Sequence, residues 1–252
     1  MRIQALFLLF VTLLVAPTVV HAVSVQSTTS AYVSLRQCVA GETVCDSISR
    51  SHRKAIGGMP GSPDAQAVQK DPEFGEATGS AHLSDEPGTA NLAANVVSLP
   101  AKRNGSTSFM LQRYTNTSDR TQTLTFTGDM TYRQTVPEEN STFPADSDGQ
   151  SGAFAEMELF TLSIDSIGAG TTAEDNFGIF DGEPPAGYES IDNANTNRAI
   201  ANVTEQGSEG LSMSAVLKPG DSIWMYALMQ GIAANGAVVE ATLVTKLAIS
   251  LE

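Results

Sequence analysis

The sequence predicts an all-β protein: a two-sheet antiparallel β-sandwich, jelly-roll-like, with about nine strands and few or no helices. Apolar residues recur at every second position in several segments, and glycine, proline and asparagine turns separate these segments. No segment keeps an amphipathic helical period over three or more turns. The 252 residues are enough to bury a sizeable core, and two stacked sheets allow each strand to bury one side.

Residues 1–22 have the organisation of a secretory signal peptide. Arg2 gives a basic start, Ala5 to Ala16 is an apolar run interrupted by Thr12, and the segment ends in Val20-His21-Ala22. This order of basic, apolar and small residues predicts cleavage after Ala22. We therefore expect a secreted protein, extracellular or periplasmic.

Residues 23–75 are predicted to contain an N-terminal strand near 30–38, a disulfide loop, and an irregular segment rich in glycine and proline. Cys38 and Cys45 are the two cysteines of the sequence, and an oxidising compartment favours a disulfide between them. Because the loop is short, this bond is expected to contribute about 2 kcal/mol. One short helix is predicted around Asp64 to Lys70.

Residues 76–252 are predicted to form the β-sandwich, one domain that also includes the strand near 30–38. The clearest strand is Thr121 to Tyr132, in which Leu124, Phe126 and Met130 alternate with threonines. Such alternation separates an apolar from a polar face only in an extended strand. The preceding strand, Phe109 to Tyr114, and the turn residues between them predict a hairpin.

The C-terminal third repeats the alternation and ends in a long strand. The run Leu217-Lys-Pro-Gly-Asp-Ser-Ile-Trp-Met-Tyr-Ala227, a glycine-containing loop and this strand resemble the closing hairpin of exported bacterial β-sandwich proteins. Proteins sorted by a C-terminal Pro-Glu-Pro signal (PEP-CTERM) show this pattern most often, although the signal itself does not occur in the sequence. The resemblance implies an exported sandwich and no particular activity.

The charge of the protein excludes some partners. Twenty-eight acidic residues against 14 basic ones give a formal net charge of -14. This disfavours nucleic acid and anionic lipid as partners, since binding to either requires basic patches. The sequence predicts no membrane insertion after the signal peptide.

The sequence motifs for nucleophilic catalysis are incomplete. Gly220-Asp221-Ser222-Ile223 resembles the motif of Gly-Asp-Ser-Leu esterases, but no histidine follows His82 to activate the serine. We interpret the segment as a turn before a strand, and we predict no catalytic residues.

Glu156 and Glu158 form the one pattern that suits a sandwich enzyme. They share one strand face with Phe154 and Phe160, and acids flanked by aromatic residues in this way resemble those of glycosidases with a Glu-x-Asp-x-x-Glu motif. Here Glu158 replaces the central aspartate, and Thr161 stands where the second catalytic glutamate belongs. Because a glycosidase needs a separate general acid, exposed strand carboxylates are the simpler interpretation.

Two loop features suggest ligands or modification. Asp146 and Asp148 lie in an Asp-Ser-Asp-Gly segment whose oxygens would suit calcium, the only cofactor the sequence suggests, although solvated turns also have this composition. N-glycosylation sequons begin at Asn104, Asn116, Asn140 and Asn202.

Trp224 and Tyr226 share one strand face, while Ile223, Met225 and Ala227 occupy the other. Because both faces are apolar, we interpret the pair as core residues of a central strand; a ligand platform for sugar rings is the alternative. The sequence thus predicts a secreted, non-catalytic binding or structural module whose partner is a glycan or a surface protein. The alternative is a glycosidase-like enzyme that uses Glu156 and Glu158.

Overall fold

The computed structural model describes residues 23–37, 46–58, 64–84, 86–135, 151–161, 188–200 and 204–252. These residues form twelve β-strands and no helix, three strands more than the nine predicted. The strands are β1 (Val23–Gln37), β2 (Asp46–Gly58), β3 (Asp64–Asp71), β4 (Gly75–Leu83), β5 (Ala90–Ser98), β6 (Lys102–Asn116), β7 (Gln122–Thr135), β8 (Ser151–Thr161), β9 (Glu189–Ile200), β10 (Thr204–Leu217), β11 (Ser222–Ala234) and β12 (Val238–Leu251).

The strands form two packed sheets, which confirms the predicted β-sandwich. Sheet A has the order β2-β1-β6-β11-β8-β9, and sheet B has the order β10-β7-β12-β5-β4-β3. Every neighbouring pair is antiparallel. Each sheet has an inner face, which packs against the other sheet, and an outer face on the opposite side.

The predicted alternation produces the core between the sheets. In β7, Leu124, Phe126 and Met130 are fully buried, and the intervening threonines are at least partly exposed. In β12, Val239 and Leu243 are fully buried. The two-residue period therefore identifies the inner face of these strands correctly.

The segment predicted as irregular, residues 46–71, contains two strands. Asp46–Gly58 pairs with β1, and Asp64–Asp71 pairs with β4. The prediction of a short helix around Asp64 is wrong: Ala65 and Ala67 are buried on one side of β3, at the period of a strand. Tertiary pairing overrides the helix propensity of its alanine, glutamine and lysine residues.

The predicted hairpin between Phe109–Tyr114 and Thr121–Tyr132 is also wrong. These segments belong to β6 and β7, which lie in different sheets. The C-terminal segments likewise do not pair as a hairpin, because β11 lies in sheet A and β12 in sheet B. Both short connections therefore cross from one sheet to the other, so that β6 and β7, and likewise β11 and β12, lie in opposite layers of the sandwich.

The inner face of β6 is mostly polar, and its side chains form hydrogen bonds both across the sandwich and within sheet A. Ser106 donates to the carbonyl of Thr78 at 2.9 Å and Ser108 to that of Ala93 at 2.7 Å. Tyr114 donates to Gln112, whose amide donates to Ser27 at 2.9 Å. These partners satisfy polar groups that would otherwise be costly to bury in the core.

The fold contains no helical segment able to traverse a lipid bilayer, as judged over the described part of the chain.

Candidate functional site

The outer face of sheet A carries a second apolar layer. The inter-sheet core takes Met110 of β6 and Met225 of β11, so the alternate residues of these strands point outward. Several outward side chains are nonetheless buried, at 7% exposure or less: Phe109, Leu111, Phe160 and Leu228. This face is therefore not an ordinary polar surface, and it is the part of the fold where we place the candidate site.

Five side chains around this layer form what we call the carboxylate–aromatic patch: Glu156, Glu158, Tyr188, Trp224 and Tyr226. The pairing of β8 with β11 sets Tyr226 opposite Glu158 and Trp224 opposite Phe160. Directly opposed residues of an antiparallel pair share a face. The register therefore joins the carboxylates predicted on β8 with the aromatic residues predicted on β11.

Phe160, which is fully buried in the apolar layer, packs near two aromatic rings of the patch. The rings of Phe160 and Trp224 are nearly parallel, at 3° with centroids 6.5 Å apart, and Tyr188 packs on Phe160 at 5.1 Å. The guanidinium of Arg113 lies 6.0 Å from the centroid of the Trp224 ring. Phe160 and Arg113 thus flank the indole, and packing of this kind helps to preorganise a binding surface.

The two carboxyl groups have different surroundings. Glu158 accepts hydrogen bonds at one oxygen from the hydroxyls of Tyr188 and Ser190, the latter at 2.7 Å. Glu156 is half-buried, and its burial, with the nearby Glu158, raises its pKa above the usual range. Burial is also the main cause that raises the pKa of the Tyr188 and Tyr226 hydroxyls. These phenols therefore stay protonated and act as donors at physiological pH.

An edge of exposed amides borders the patch. The pairing of β8 with β9 sets Asn193 opposite Glu158 and Asn195 opposite Glu156, and both asparagines are exposed. The patch thus combines aromatic rings, carboxylates and amide groups, which together offer apolar contact and both hydrogen-bonding roles.

Replacing Glu156 by glutamine is expected to raise the melting temperature at pH 7. A carboxyl whose pKa is raised by folding destabilises the fold when it is ionised, and this cost disappears as the pH falls through its folded pKa. The gain from Glu156→Gln should therefore narrow in acid, where the wild-type carboxyl is also neutral. Thermal denaturation between pH 4 and 7 measures it. Glu240→Gln, at an exposed position of β12, is the control; equal effects of the two substitutions would contradict the burial argument.

The interpretation of Trp224 and Tyr226 as core residues is wrong. Both are only partly buried and lie outside the inter-sheet core, on the face opposite Met225. Sequence analysis also missed Tyr188 and Ser190 as partners of Glu158. No sequence signal indicates this pairing, because it depends on β9 joining β8 at the edge of the sheet.

Ser222 follows a turn and is the first residue of β11, which supports the interpretation of this segment as a turn before a strand. Its hydroxyl lies 2.8 Å from that of Thr115, and Arg113 donates to it at 3.3 Å. The preceding turn is closed by Asp221, whose amide donates to the carbonyl of Lys218 at 3.0 Å. None of the bonds described for Ser222 reaches a base able to activate it.

Several predicted residues lie outside the described ranges: Cys38, Cys45, Asp146 and Asp148. The neighbours of the two cysteines, Gln37 and Asp46, face each other as the last pair of β1 and β2. The disulfide and the calcium site remain predictions. Within the described ranges, no group of three or more histidine, cysteine, aspartate or glutamate side chains could hold a metal ion.

Two of the four sequon asparagines are structural. The Asn104 amide donates to the carbonyls of Phe74 and Val97, at 2.8 and 2.7 Å. Asn116 is fully buried. Because both amide groups are enclosed, neither asparagine can carry a glycan in this fold. Asn140 and Asn202 lie outside the described residues.

Comparison with known proteins assigns no family. No family model matches the chain, and neither does any curated protein. Among solved structures, a chain from the structure of the infectious bursal disease virus Gx strain aligns at 9% identity and a TM-score of 0.11. The alignment covers 91% of this chain and 66% of the viral one. A similarity this low carries no argument about fold or function.

Proposed function

We propose that the protein is an exported, non-catalytic β-sandwich module that binds a glycan through the carboxylate–aromatic patch. The observation that carries this proposal is the alignment of Trp224 and Tyr226 with Glu158 and Phe160 on the outer face of sheet A. Export is proposed on the basis of the sequence of residues 1–22.

A glycan suits the patch better than a surface protein does, because the patch mixes stacked rings with closely spaced polar groups. The indole of Trp224, parallel to Phe160, offers a flat apolar surface to the C–H face of a sugar ring. Glu156 and Glu158 offer acceptors for hydroxyl groups, and the exposed Asn193 and Asn195 add donors as well.

Trp224→Ala is expected to weaken glycan binding at least about tenfold, a loss of roughly 1.4 kcal/mol of binding free energy. The substitution removes the ring that packs against Phe160 and Arg113. The wild type is first screened on a glycan array, and affinities for the bound glycans are then measured by calorimetry.

Val216→Ala is the matched control, since Val216 is an exposed apolar residue, 58% accessible, on sheet B. It should leave the affinity unchanged. If no glycan on the array binds, the glycan proposal fails and a surface protein becomes the better partner. Equal losses in the two variants would show that binding takes place away from the patch.

One observation favours a glycosidase as a second candidate function. Glu156, whose pKa is raised by burial, stands beside Glu158, which accepts two hydrogen bonds from described residues. Glycoside hydrolysis uses two neighbouring carboxyl groups, one of which has a raised pKa. Release of reducing sugar from the same glycan panel, abolished by Glu158→Gln, would support the enzyme instead of the binding module.

A further inference from the structure

A depression on the outer face of sheet A is lined by basic and neutral polar side chains and by the apolar side chain of Ile232. It has a volume of about 150 Å³ and lies over β1, β6 and β11. Gly105 forms its floor, where the absence of a side chain leaves space. Around this floor stand six polar residues: Tyr32, Ser34, Arg36, Arg103, Thr107 and Gln230.

The strand register arranges these residues as two rows on either side of the glycine. Arg36 is paired with Arg103 in one row, and Thr107 is paired with both Tyr32 and Gln230 in the other. Ser34 is opposite Gly105. The hydroxyls, the amide and the two guanidinium groups therefore surround one space from both ends.

The two arginines make this depression basic, although the protein as a whole is acidic. The sequence has twice as many acidic residues as basic ones, 28 against 14, yet no acidic side chain is found among the described residues that line the depression. Like charges directly opposite each other destabilise an antiparallel pair. An anion bound between them would be attracted by both guanidinium groups.

The Arg36 side chain also retains hydrogen-bonding capacity. The Nε atom of Arg36 is buried, and within the described part of the chain it has no acceptor. A buried donor without an acceptor is costly.

We propose that the depression binds one small oxyanion: a sulfate, a phosphate or a carboxylate group. Guanidinium groups present forked donors that match the oxygens of such anions. The volume of about 150 Å³ is roughly ten times the space that one water requires, so a single small oxyanion fits. This site uses residues separate from the carboxylate–aromatic patch.

The test is calorimetric titration of the protein without its proposed signal peptide, residues 23–252. Sodium sulfate, sodium phosphate and sodium glucuronate are titrated at constant ionic strength, and glucose is the uncharged comparison. We expect saturable binding of at least one anion with a stoichiometry of one. Arg36→Gln should weaken it at least tenfold, and Arg133→Gln, which removes an exposed arginine from sheet B, should not.

A second variant covers the case in which Arg36→Gln does not fold. A methyl group at Gly105 would meet only Ser34 and Gly231 atoms, at 3.6 and 3.9 Å, which is ordinary contact. Gly105→Ala should therefore fold and still obstruct the anion. Binding of glucuronate but not glucose would assign the anion to an acidic sugar, and binding of the inorganic ions alone would assign a free oxyanion.

The proposal is overturned if none of the three anions binds saturably, or if Arg36→Gln and Arg133→Gln weaken binding equally. Trp224→Ala should leave anion binding intact. Failure of the glycan proposal is therefore distinguishable from failure of this one.

Discussion

Replacing Asn116 by alanine is expected to lower the free energy of unfolding by about 3 kcal/mol. Its amide donates to the carbonyls of Arg120 and Leu217, at 2.8 and 3.0 Å, and its side-chain oxygen accepts from the amide and hydroxyl of Ser118. The residue is fully buried, so alanine would remove the buried donor to the carbonyl of Leu217 and the acceptor that holds the Ser118 turn. The side chain joins the β6–β7 connection to the end of β10, and its loss should loosen both.

Thermal and chemical denaturation measure this loss. For a domain of this size, about 3 kcal/mol corresponds to a fall in melting temperature of roughly 6–12 °C. Asn95→Ala, at an exposed position of β5, serves as the control and should change stability by less than about 0.5 kcal/mol. A melting temperature of Asn116→Ala equal to that of the control would contradict the role given to this residue.

Gly75→Ala is expected to destabilise the fold by more than about 2 kcal/mol. Gly75 begins β4 with a φ of +110°, a conformation that side chains rarely adopt, and an added Cβ would lie 2.2 Å from the carbonyl oxygen of Val97. That oxygen also accepts from Asn104 at 2.7 Å. Because the atom that must move is backbone, the strand cannot relax cheaply.

Gly210→Ala provides a matched control, since a Cβ there would meet no atom within 4 Å. It should change the unfolding midpoint in urea by a small amount only. A Gly75→Ala protein as stable as the Gly210→Ala protein would show that the close approach of Gly75 to β5 is not a constraint of the fold.

The alternation of residues in the sequence is sufficient to predict the architecture. In β7, the inward Leu124 and Phe126 can be identified because side chains two residues apart in a pleated strand lie on the same face. The same holds for Val239 and Leu243 in β12. Alternation identifies the buried face of a strand without reference to its partner.

The choice of partners could not be predicted, because alternation is the same in a hairpin and in a connection between sheets. The turn residues after β6 suggest a hairpin, but the connection that begins at the buried Asn116 leads to β7 in sheet B. A similar ambiguity prevents prediction of the candidate site from the sequence. Trp224 has the sequence pattern of a core residue because both faces of its strand are apolar, whereas sheet A has apolar layers on both of its sides.

The sequence predicts the patch only in pieces. Glu156, Glu158, Trp224 and Tyr226 can each be identified from strand position, but their meeting depends on β8 pairing with β11. Tyr188 gives no signal, because its role is defined only by the hydrogen bond to Glu158. The arginine depression is equally inaccessible, since Arg36 and Arg103 are 67 positions apart in sequence and meet only through the β1–β6 register.

The fluorescence of Trp224 tests the central claim most directly, because this is the one tryptophan of the sequence and it lies within the patch. If the outer face of sheet A is the ligand surface, titration with glycans should change its emission saturably, and Tyr226→Ala should abolish the change. Glycan binding that leaves the emission constant, or no response to any glycan of a broad panel, would contradict the account.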